Sequence, residues 1–557
     1  MTTLQGPSLE SLAGIGSLTM GAFLEEVATR FAPNEALVFD DPLRSGATVR
    51  WTYADLCEQA RRVAKALISQ DIGRGDRIVV LMGNRPEAVA ALFGAAMAGA
   101  VAVPLSTFSP APELAFLLAN AEAKIVLPQT RLLARRFADD VAALRADLPL
   151  LRDVVVVGDA SWDRFLVAAD GVDDAVLDAR IAALTPADAG LIIYSSGTTS
   201  TPKGMLHSHL APTLQFWVQS QIFRRHPETR MWTALPMFWT AGLNTAMGST
   251  LAAGGCWVMQ EVFEPAEALA LMQRERVTEP YALPHQIGAL EEHADWARTD
   301  LSSLKYVFGK SAFSRHPTVQ GDTTWNMPVG YGLSETCAFF VSHWSDTPRE
   351  LLKATMGKLL PGNELRVVDP DTGRVLGPNE DGELAIKGPT LMDHYVGLTP
   401  EQCFDTDGFF HTGDAGFFDD DGYVHWTGRR TEMIKTGGAN VSPAELEVEL
   451  RACPPVKLAR IVGMPDARLD QIVVACITLK DGADATEADI QAFLRERVAV
   501  YKVPKRVLFF AEGEIPMTGS DTKVRDAELV ALVTARLAGI HPAPVQSTSG
   551  QSTSGDR

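Results

Sequence analysis

Closely spaced cysteines are missing from this sequence of 557 residues, which has six cysteines and no Cys-x-x-Cys pair. Disulfide frameworks and structural zinc sites both need cysteines at short, regular spacing, so neither is predicted. Scattered free thiols are typical of a reducing cytoplasm, and we expect the protein to be cytoplasmic.

A long apolar run is also missing. The longest, AVAALFGAAMAGAVAV at 88–103, ends at Pro104. It falls short of the roughly 20 residues that a membrane-spanning helix needs, and it predicts a buried helix followed by a strand. The first basic residue is Arg30, so the amino terminus lacks the charged region of a secretory signal. We therefore expect neither a transmembrane segment nor export.

Positive charge is scarce, because 50 lysines and arginines stand against 69 aspartates and glutamates, a net charge of −19. This excess disfavours broad attraction to nucleic acid or to anionic membranes. The charge balance therefore argues against a nucleic-acid partner. It does not exclude a local basic pocket that binds a small anion.

Short β-branched runs alternate with helical patterns through the first three quarters of the chain. Runs at 76–82, 123–128, 152–158 and 190–196 predict strands, and 53–70 has apolar residues at helical spacing. Strands that alternate with helices predict parallel-rich sheets flanked by helices. The predicted fold class is therefore α/β, and a chain of this length needs more than one domain.

The pattern changes after about residue 430, where short helices and strands indicate a small α+β unit. We predict a large amino-terminal domain at 1–430 and a small carboxyl-terminal domain at 431–541. Residues 542–557 contain no aromatic residue and are rich in Ser, Thr and Gly, so this tail is predicted to be disordered.

The stretch YSSGTTSTPKG at 194–204 combines hydroxyl side chains with Gly197 and Lys203. Such composition is typical of a surface loop. A glycine also lets backbone N–H groups approach an anion, and hydroxyls and lysine add donors, so a phosphate cradle is the second interpretation. A Walker A loop is excluded, because that pattern needs lysine directly after its second glycine.

A serine acyl-enzyme is the third interpretation of the same stretch. Residues 200–203 match the pattern S-x-x-K, and residues 435–437 match K-T-G. Both patterns occur in serine enzymes that react with β-lactams. That motif needs its Ser and Lys one helical turn apart, and Pro202 disfavours helix at Thr201. The match is therefore weak.

Three later segments carry residue types that bind a nucleotide. GYGLSET at 330–336 offers a ring for stacking, glycines for close approach, and Glu335 for Mg²⁺. Asp414 can accept ribose hydroxyls, and Arg429 can hold ribose or phosphate. Lys523 lies in a turn-rich segment. Each alone also fits a helix cap, a turn or a solvated side chain, but their joint occurrence in this order favours a nucleotide site.

These segments, in this order, resemble the ANL superfamily of adenylate-forming enzymes, which includes acyl-CoA synthetases, adenylation domains of peptide synthetases and firefly-type luciferases. The resemblance runs from about residue 20 to about residue 530. The stretch 194–204 is similar to the phosphate loop, and PMFWTAG at 236–242 to the acyl-pocket motif. WTGRRTEMIKTGGANVSPAELE is similar to the hinge and the start of a mobile carboxyl-terminal domain.

The resemblance implies an ATP-dependent acid–CoA ligase that works in two steps. A carboxylate attacks the α-phosphorus of ATP to give acyl-AMP and pyrophosphate, and the thiol of CoA then displaces AMP. ATP, Mg²⁺ and CoA are the implied cofactors, and a carboxylic acid is the implied partner. Whether the protein forms a homodimer is left open.

The resemblance also assigns the site residues. Lys523 bridges the attacking carboxylate and the α-phosphate, Thr198 contacts phosphate, and Glu335 is both a catalytic residue and the metal ligand. The residues implied in nucleotide and CoA binding are Ser195, Ser196, Gly197, Thr199, Lys203, Tyr331, Gly332, Ser334, Asp414, Arg429, Gly437 and Gly438. The implied substrate pocket contains Phe238, Trp239, Gly242 and Gly330.

Three segments depart from the family pattern, and one of them is FGKSAF at 308–313, which places Lys310 where the family usually has Gly-Gly-Ala beside the adenine. Thr431 stands where the hinge residue is usually Asp or Lys. The lysine motif at 516–523 is one residue longer than usual, with Thr522 in the place of a glycine. The residues after Lys523 continue the pattern, so it stays the predicted catalytic lysine.

The acid can be narrowed to a class. Relatives that activate amino acids carry an aspartate after the pocket phenylalanine, whereas here Trp239 follows Phe238. Relatives that use acetate close the pocket with a tryptophan at the place of Gly332, and a glycine leaves that path open. We therefore expect a medium-chain, long-chain, aromatic or alicyclic acid. An acyl-AMP ligase that loads a carrier protein is the runner-up.

Replacing Lys523 tests whether the chain is catalytic. If this lysine stabilises charge in the transition state of adenylation, Lys523→Ala should lower the rate of acyl-AMP formation by orders of magnitude. Pyrophosphate release measures that rate. An unchanged rate would remove Lys523 from the mechanism, and a wild type without turnover would favour a non-catalytic ATP-binding relative.

Ser200→Ala separates the phosphate loop from the serine acyl-enzyme. A nucleophilic serine is indispensable, so its removal should abolish acyl transfer. A phosphate loop should keep most of its activity, because neighbouring hydroxyls and backbone N–H groups still reach the phosphates. A serine acyl-enzyme uses no ATP, so acylation by a β-lactam is measured beside pyrophosphate release, and the interpretation whose signal is lost in Ser200→Ala depends on this serine.

Overall fold

A computed structural model describes the protein over residues 2–109, 111–195, 202–429, 433–436, 439–466, 469–498, 502–517 and 524–538. These residues fold into two compact units. The first contains the chain up to Thr412 together with Phe417–Trp426, and the second contains Gly413–Gly416 and the chain from Thr427 onward. A large α/β unit with a smaller one confirms the predicted fold class. The domain boundary at 430 stays a prediction, and the tail at 542–557 lies outside the described residues.

The strands of the described chain are, in order, β1 Leu4–Gln5, β2 Glu35–Asp41, β3 Ala47–Thr52, β4 Arg77–Leu81, β5 Val101–Pro104, β6 Ile125–Pro128, β7 Asp153–Val154, β8 Ala189–Ser195, β9 Lys203–Ser208, β10 Arg230–Thr233, β11 Cys256–Met259, β12 Glu279–Pro280, β13 Gly330–Leu333, β14 Ala338–Ser342, β15 Lys358–Leu359, β16 Glu364–Val368, β17 Gly382–Lys387, β18 His394–Tyr395, β19 Phe410–Phe418, β20 Val424–Arg429, β21 Ile434–Thr436, β22 Ala439–Val441, β23 Val456–Asp466, β24 Asp470–Leu479 and β25 Arg506–Phe509.

The α-helices of the described chain are α1 Met20–Phe31, α2 Tyr53–Ser69, α3 Pro86–Met97, α4 Ala111–Asn120, α5 Phe137–Leu144, α6 Ala160–Val167, α7 Asp174–Ala182, α8 Leu210–Ile222, α9 Ser249–Ala252, α10 Pro265–Arg274, α11 Pro284–Glu292, α12 Ala312–Arg315, α13 Arg349–Ala354, α14 Pro400–Cys403, α15 Pro443–Arg451, α16 Glu487–Arg495 and α17 Asp526–Leu537. A π-helix spans Ala241–Gly248, directly before α9. Short 3₁₀ helices lie at Leu9–Ser11, Pro42–Arg44, Arg145–Asp147, Ala168–Gly171 and Trp296–Arg298.

A seven-stranded sheet carries both strands that flank the predicted phosphate loop. Its order is β18-β9-β8-β5-β4-β6-β7. The strands from β8 to β7 are parallel, whereas β9 is antiparallel to β8 and β18 is antiparallel to β9. Alternate residues of β4 enter two different hydrophobic cores, so both faces of the sheet are buried. The strands predicted at 76–82, 123–128 and 190–196 are confirmed as β4, β6 and β8.

The strand predicted at 152–158 is shorter than expected. Only Asp153–Val154 forms a strand, which pairs with β6 at the edge of the sheet. Beyond Val154, the N–H groups of Val155 and Val157 still donate to carbonyl oxygens of β6, at 3.0 and 2.8 Å, but no continuous strand forms. The Val156 N–H between them donates to the Ser161 hydroxyl at 2.8 Å, shortly before α6 begins. A β-branched run alone therefore overestimates an edge strand.

The helix predicted at 53–70 is confirmed as α2. Thr52 and Asp55 form a capping box at its start, in which each side chain accepts a hydrogen bond from the backbone N–H of the other. The apolar run at 88–103 is likewise confirmed as the buried helix α3 followed by β5. Among the helices that the structure describes, none is long and apolar enough to cross a membrane.

Three further sheets are built mainly from residues of the first unit. One has the order β12-β10-β11-β2-β3 and is parallel from β12 to β2. A small antiparallel sheet, β13-β14-β15, carries the segment 330–336. The third has the order β1-β16-β17-β19-β20.

The second unit is built on a mainly antiparallel sheet. Its order is β22-β21-β24-β23, and β25 pairs parallel with β24. Alternate residues of β24 enter two cores, one formed with α15 and α16 and the other with α17. Helices therefore cover both faces, in agreement with the α+β unit predicted after residue 430.

A buried ionic cluster lies beyond the ends of several strands of the first unit. Arg85 is fully buried, with its Nε donating to Glu87 at 2.9 Å and its Nη2 lying 3.3 Å from Asp41. Glu261 lies 3.6 Å from Nη1 of Arg85 and accepts a hydrogen bond from Gln129 at 3.0 Å. Burial raises the pKa of Glu261 to about 7, although the Arg85 charge opposes the shift. Glu261 therefore titrates near neutral pH.

Glu261→Gln should remove a pH dependence of stability. The ordinary pKa of Glu261, 4.5, applies to the unfolded chain, so the folded state binds this proton more tightly and loses stability as the pH rises through about 7. Glutamine does not ionise. From about pH 5.5 to about pH 8, the unfolding free energy of the wild type should therefore fall by roughly 2 kcal/mol more than that of the variant.

Urea denaturation at both pH values measures this difference. Glu292→Gln, at an exposed glutamate of α11, is the matched control and should change in parallel with the wild type. The prediction is wrong if the Glu261→Gln curve also runs parallel to the wild type.

Candidate active site

The predicted contacts to phosphate and magnesium, Ser334 and Glu335, lie in a turn between β13 and β14. The Thr336 hydroxyl closes this turn. It accepts a hydrogen bond from the Leu333 N–H at 2.8 Å and donates to the Ala338 carbonyl oxygen at 2.7 Å. Both ends of the turn are thereby fixed, so the two predicted site residues have a defined place.

The glycines of β13 are required by close backbone approach. A Cβ atom on Gly332 would lie 1.8 Å from the Ala338 carbonyl oxygen, and one on Gly330 would lie 2.6 Å from the Val341 carbonyl oxygen. Tyr331 between them is buried. The sequence suggested that Gly332 leaves a path open for a long acid. The structure adds a second reason for a glycine here, which is the contact between β13 and β14, and the open path stays a prediction.

Two strands hold the turn that carries Ser334 and Glu335. From β18, the Tyr395 hydroxyl donates to Glu335 Oε1 at 2.7 Å. From β9, His207 Nε2 contacts the Ser334 carbonyl oxygen at 3.0 Å. Burial lowers the pKa of His207 to about 4, so its ring is neutral at physiological pH. Because a carbonyl oxygen only accepts, the proton lies on Nε2 and His207 donates this hydrogen bond.

Lys203, the lysine of the predicted phosphate loop, is the first residue of β9. It lies opposite Ser195, the last residue of β8. Its ammonium lies over the ring of Tyr395, 4.9 Å from the ring centroid. Lys203 and Glu335 therefore both contact the side chain of Tyr395. Sequence reasoning missed Tyr395, because a single tyrosine 60 residues beyond Glu335 carries no local signal of a contact with it.

The predicted pocket segment at 236–242 turns sharply before the π-helix. Asn84 clamps this turn, because it donates to the Leu235 carbonyl oxygen and accepts from the Met237 N–H, both at 2.9 Å. A Cβ atom on Gly242 would lie 2.1 Å from a backbone carbonyl oxygen of the same turn. The start of the π-helix therefore packs directly on the turn, and the positions of Phe238 and Trp239 follow from it.

Three aromatic rings come together at this turn. Phe238 is buried and Trp239 is half-buried, and both pack edge-on against Phe108, with ring centroids 5.4 and 6.1 Å from its own. Phe108 lies between β5 and α4, and 52% of its surface is exposed. Sequence reasoning missed Phe108, because an isolated aromatic residue in a Ser- and Pro-rich loop has no periodic signal.

The second unit contains the two predicted ribose ligands. Asp414 lies on β19 and Arg429 ends β20. Arg429 Nε lies 3.0 Å from Asp414 Oδ1, and the Asp414 side chain is almost fully buried whereas Arg429 is half-exposed. The pair sets a carboxylate acceptor beside a guanidinium donor, which are the groups that vicinal hydroxyls need.

Several predicted site residues lie outside the described residues: Ser196, Gly197, Thr198, Thr199, Thr431, Gly437, Gly438 and Lys523. The side chain of Ser195 is also outside them. Met517 and Val524, which flank the segment that contains Lys523, pair with each other in an antiparallel β-bridge. The roles of these residues stay predictions.

A magnesium ion would rely on few protein ligands. In the described part of the chain, no group of three or more His, Cys, Asp or Glu side chains is arranged to hold a metal. Mg²⁺ commonly takes one or two carboxylates and completes its shell with phosphate oxygens and water. A single oriented carboxylate such as Glu335 fits that donor set.

Comparisons with known proteins give a consistent result. The chain matches the family described as AMP-binding enzyme over residues 24–396, and the AMP-binding enzyme C-terminal domain over residues 445–522. Feruloyl-CoA synthase from Amycolatopsis sp is 32% identical over 486 residues, which cover 86% of this chain and 93% of that protein. Indoleacetate–CoA ligase from Aromatoleum aromaticum is 30% identical over 490 residues, with 86% and 93% covered.

A solved structure extends the likeness to three dimensions. ATP-bound MatB from Rhodopseudomonas palustris has a TM-score of 0.75 to this chain at 27% identity, and 93% of this chain and 99% of that one are covered. The prediction of an adenylate-forming enzyme is thereby confirmed. The chain belongs to the AMP-binding enzyme family, and it is an AMP-forming acid–thiol ligase of the acyl-CoA synthetase type.

Proposed function

We propose that the protein joins a bulky hydrophobic carboxylic acid to CoA. Acid, ATP and CoA are converted to acyl-CoA, AMP and pyrophosphate through an acyl-AMP intermediate. The contacts among Lys203, Tyr395 and Glu335 carry this proposal. They supply a cation at the end of the predicted phosphate loop and a fixed carboxylate for the metal that accompanies ATP.

In the first step, an oxygen of the substrate carboxylate bonds to the α-phosphorus of ATP, and the bond to pyrophosphate breaks. Charge spreads over phosphate oxygens, so positioning and electrostatics supply most of the catalysis. Thr198 and Lys203 hold the leaving phosphates, and Ser334 contacts the α-phosphate. Lys523 stabilises the charge that develops between the attacking carboxylate and the α-phosphate.

The remaining groups bind the nucleoside and the metal. Tyr331 covers the adenine. Asp414 accepts hydrogen bonds from the ribose hydroxyls, and Arg429 beside it also binds the ribose. Glu335 holds Mg²⁺, and Tyr395 fixes the carboxylate that does so. Bound Mg²⁺ neutralises charge on the ATP phosphates.

In the second step, the sulfur of CoA bonds to the acyl carbonyl carbon, and the thiol proton passes to solvent. The bond from that carbon to the phosphate oxygen breaks, and AMP leaves. The small domain turns about Thr431 between the steps, as hinged domains do. Lys523 then withdraws, and Gly437 and Gly438 border the path of the thiol. A cytoplasmic location belongs to this proposal, and the six cysteines support it because all are free thiols.

An aromatic acid is the first substrate class in this proposal, with fatty and alicyclic acids as alternatives. Aromatic rings prefer edge-on packing of the kind that joins Phe108, Phe238 and Trp239, and a planar substrate can enter such a cluster. Feruloyl-CoA synthase and indoleacetate–CoA ligase are both named for aromatic acids. Both are also named for CoA, which disfavours the carrier-protein alternative.

AMP release across a panel of acids tests the proposed function. The assay contains ATP and Mg²⁺, with and without CoA, and compares ferulate, indole-3-acetate, octanoate and acetate. We expect CoA-dependent AMP release that is greatest with an aromatic acid and least with acetate. Pyrophosphate and enzyme-bound acyl-AMP without any CoA effect would contradict the CoA acceptor, and no turnover with any acid would contradict the substrate class.

Phe108→Ala tests the aromatic cluster. Losing one of three edge-on rings should lower kcat/KM for the best aromatic acid by roughly three- to tenfold, while the KM for ATP stays the same. Phe116 is also an exposed phenylalanine, and it lies on α4. Phe116→Ala is therefore the matched control and should leave kcat/KM for the acid and the KM for ATP unchanged. Equal losses in the two variants, or a raised KM for ATP, would place Phe108 outside the pocket.

A further inference from the structure

We propose that Tyr395 is a positioning residue that joins the metal-binding carboxylate to the phosphate-loop lysine. Its hydroxyl fixes Glu335 for Mg²⁺, and its ring fixes Lys203 for the ATP phosphates. This inference rests on the proposed function, in which Glu335 holds the metal, and it adds a residue that no motif assigned.

The place of Tyr395 is set by main-chain hydrogen bonds. β18 pairs antiparallel with β9 so that His394 lies opposite Leu206 and Tyr395 opposite Met205. Lys203 is therefore the diagonal neighbour of Tyr395, a position that long and aromatic side chains can bridge. The strand that begins at the phosphate loop thus determines where the Tyr395 ring lies.

Glu335 is held at two points by the segment around β18. Its backbone carbonyl accepts a hydrogen bond from the Met392 N–H at 2.7 Å, and its side chain accepts one from the Tyr395 hydroxyl at 2.7 Å. An ionised carboxylate can only accept, so the tyrosine is the donor. One oxygen and the backbone are fixed in this way, which restricts the direction in which Oε2 points.

Lys203 is held by the same ring. Its ammonium lies 4.9 Å from the Tyr395 centroid, within the distance at which a cation is attracted to an aromatic face. Lysine has a flexible stem and loses rotamer freedom whenever it binds. A ring that restricts Lys203 beforehand lowers that cost, and does so on the residue that also orients the metal ligand.

Affinity for ATP with and without Mg²⁺ separates the two functions of Tyr395. Isothermal titration of the full-length protein with ATP in EDTA measures the magnesium-independent affinity, and titration with Mg·ATP measures the gain from the metal. Neither needs the acid or CoA. Tyr395→Phe keeps the ring and loses the hydroxyl, so it should reduce the magnesium-dependent gain about tenfold and leave the affinity in EDTA unchanged. Tyr395→Leu should also weaken binding in EDTA, by about threefold.

A double variant shows whether Tyr395 acts through Glu335. Glu335→Gln removes the proposed metal ligand and should itself lower the magnesium-dependent gain. If the hydroxyl acts only by orienting that carboxylate, adding Tyr395→Phe to Glu335→Gln should cost nothing further. A purely structural role for the hydroxyl would instead give the same loss in both backgrounds.

Tyr423→Phe is the matched control, because the Tyr423 ring also lies beneath a lysine, with Lys358 Nζ 4.5 Å from its centroid, and is absent from the proposed site. It should bind like the wild type. The inference is overturned if Tyr395→Phe retains the full magnesium gain, or if its loss adds to that of Glu335→Gln. A Glu335→Gln variant with a normal magnesium gain would instead overturn the metal role of Glu335, and the inference with it.

Discussion

The antiparallel pairing of β9 with both β8 and β18 is the constraint on which the rest of the site depends. Side chains on one face of a strand recur every second residue. Lys203 and His207 therefore lie on the same face of β9, and one contacts the ring of Tyr395 while the other donates to the backbone of Ser334. A single ladder thus supports the phosphate-loop lysine, the turn and the predicted metal ligand.

Two adjacent residues outside this ladder, Asn84 and Arg85, hold the turn of the acyl pocket and a buried ionic cluster of the fold. Asn84 clamps the pocket turn, and the next residue, Arg85, lies at the centre of the buried ionic cluster. Both lie beyond the end of β4, so one short segment serves two purposes. Because a partly satisfied buried network is costly, this segment tolerates little change even though it contacts no predicted ligand.

Much of the fold could be predicted because its signals are local. The period of apolar residues and the Thr52 capping box define α2, and the run at 88–103 defines α3 and β5. The strand predicted at 152–158 is wrong over most of its length, since an edge strand depends on its partners. Beyond Val154, only the N–H groups of Val155 and Val157 still bond to β6, which is too little for a continuous strand.

The site was only partly predictable, for a different reason. Glu335, Asp414 and Arg429 stand in recognisable motifs, and the structure brings the last two together. Tyr395 and Phe108 act through contacts with residues more than fifty positions away, and such contacts leave no trace in local sequence. Motifs identify the groups that touch a ligand, whereas the residues that orient those groups become visible only after folding.

The glycine at 332 restricts how the specificity of this enzyme can evolve. Shortening a pocket by a bulky side chain at that position is a one-step mutation only where the backbone has room. Here β14 occupies the space, since the Ala338 carbonyl oxygen lies 1.8 Å from where a Cβ atom would be. In this chain, a side chain at position 332 therefore requires β14 to shift as well, whereas the exposed Phe108 loop can change its side chains without such a shift.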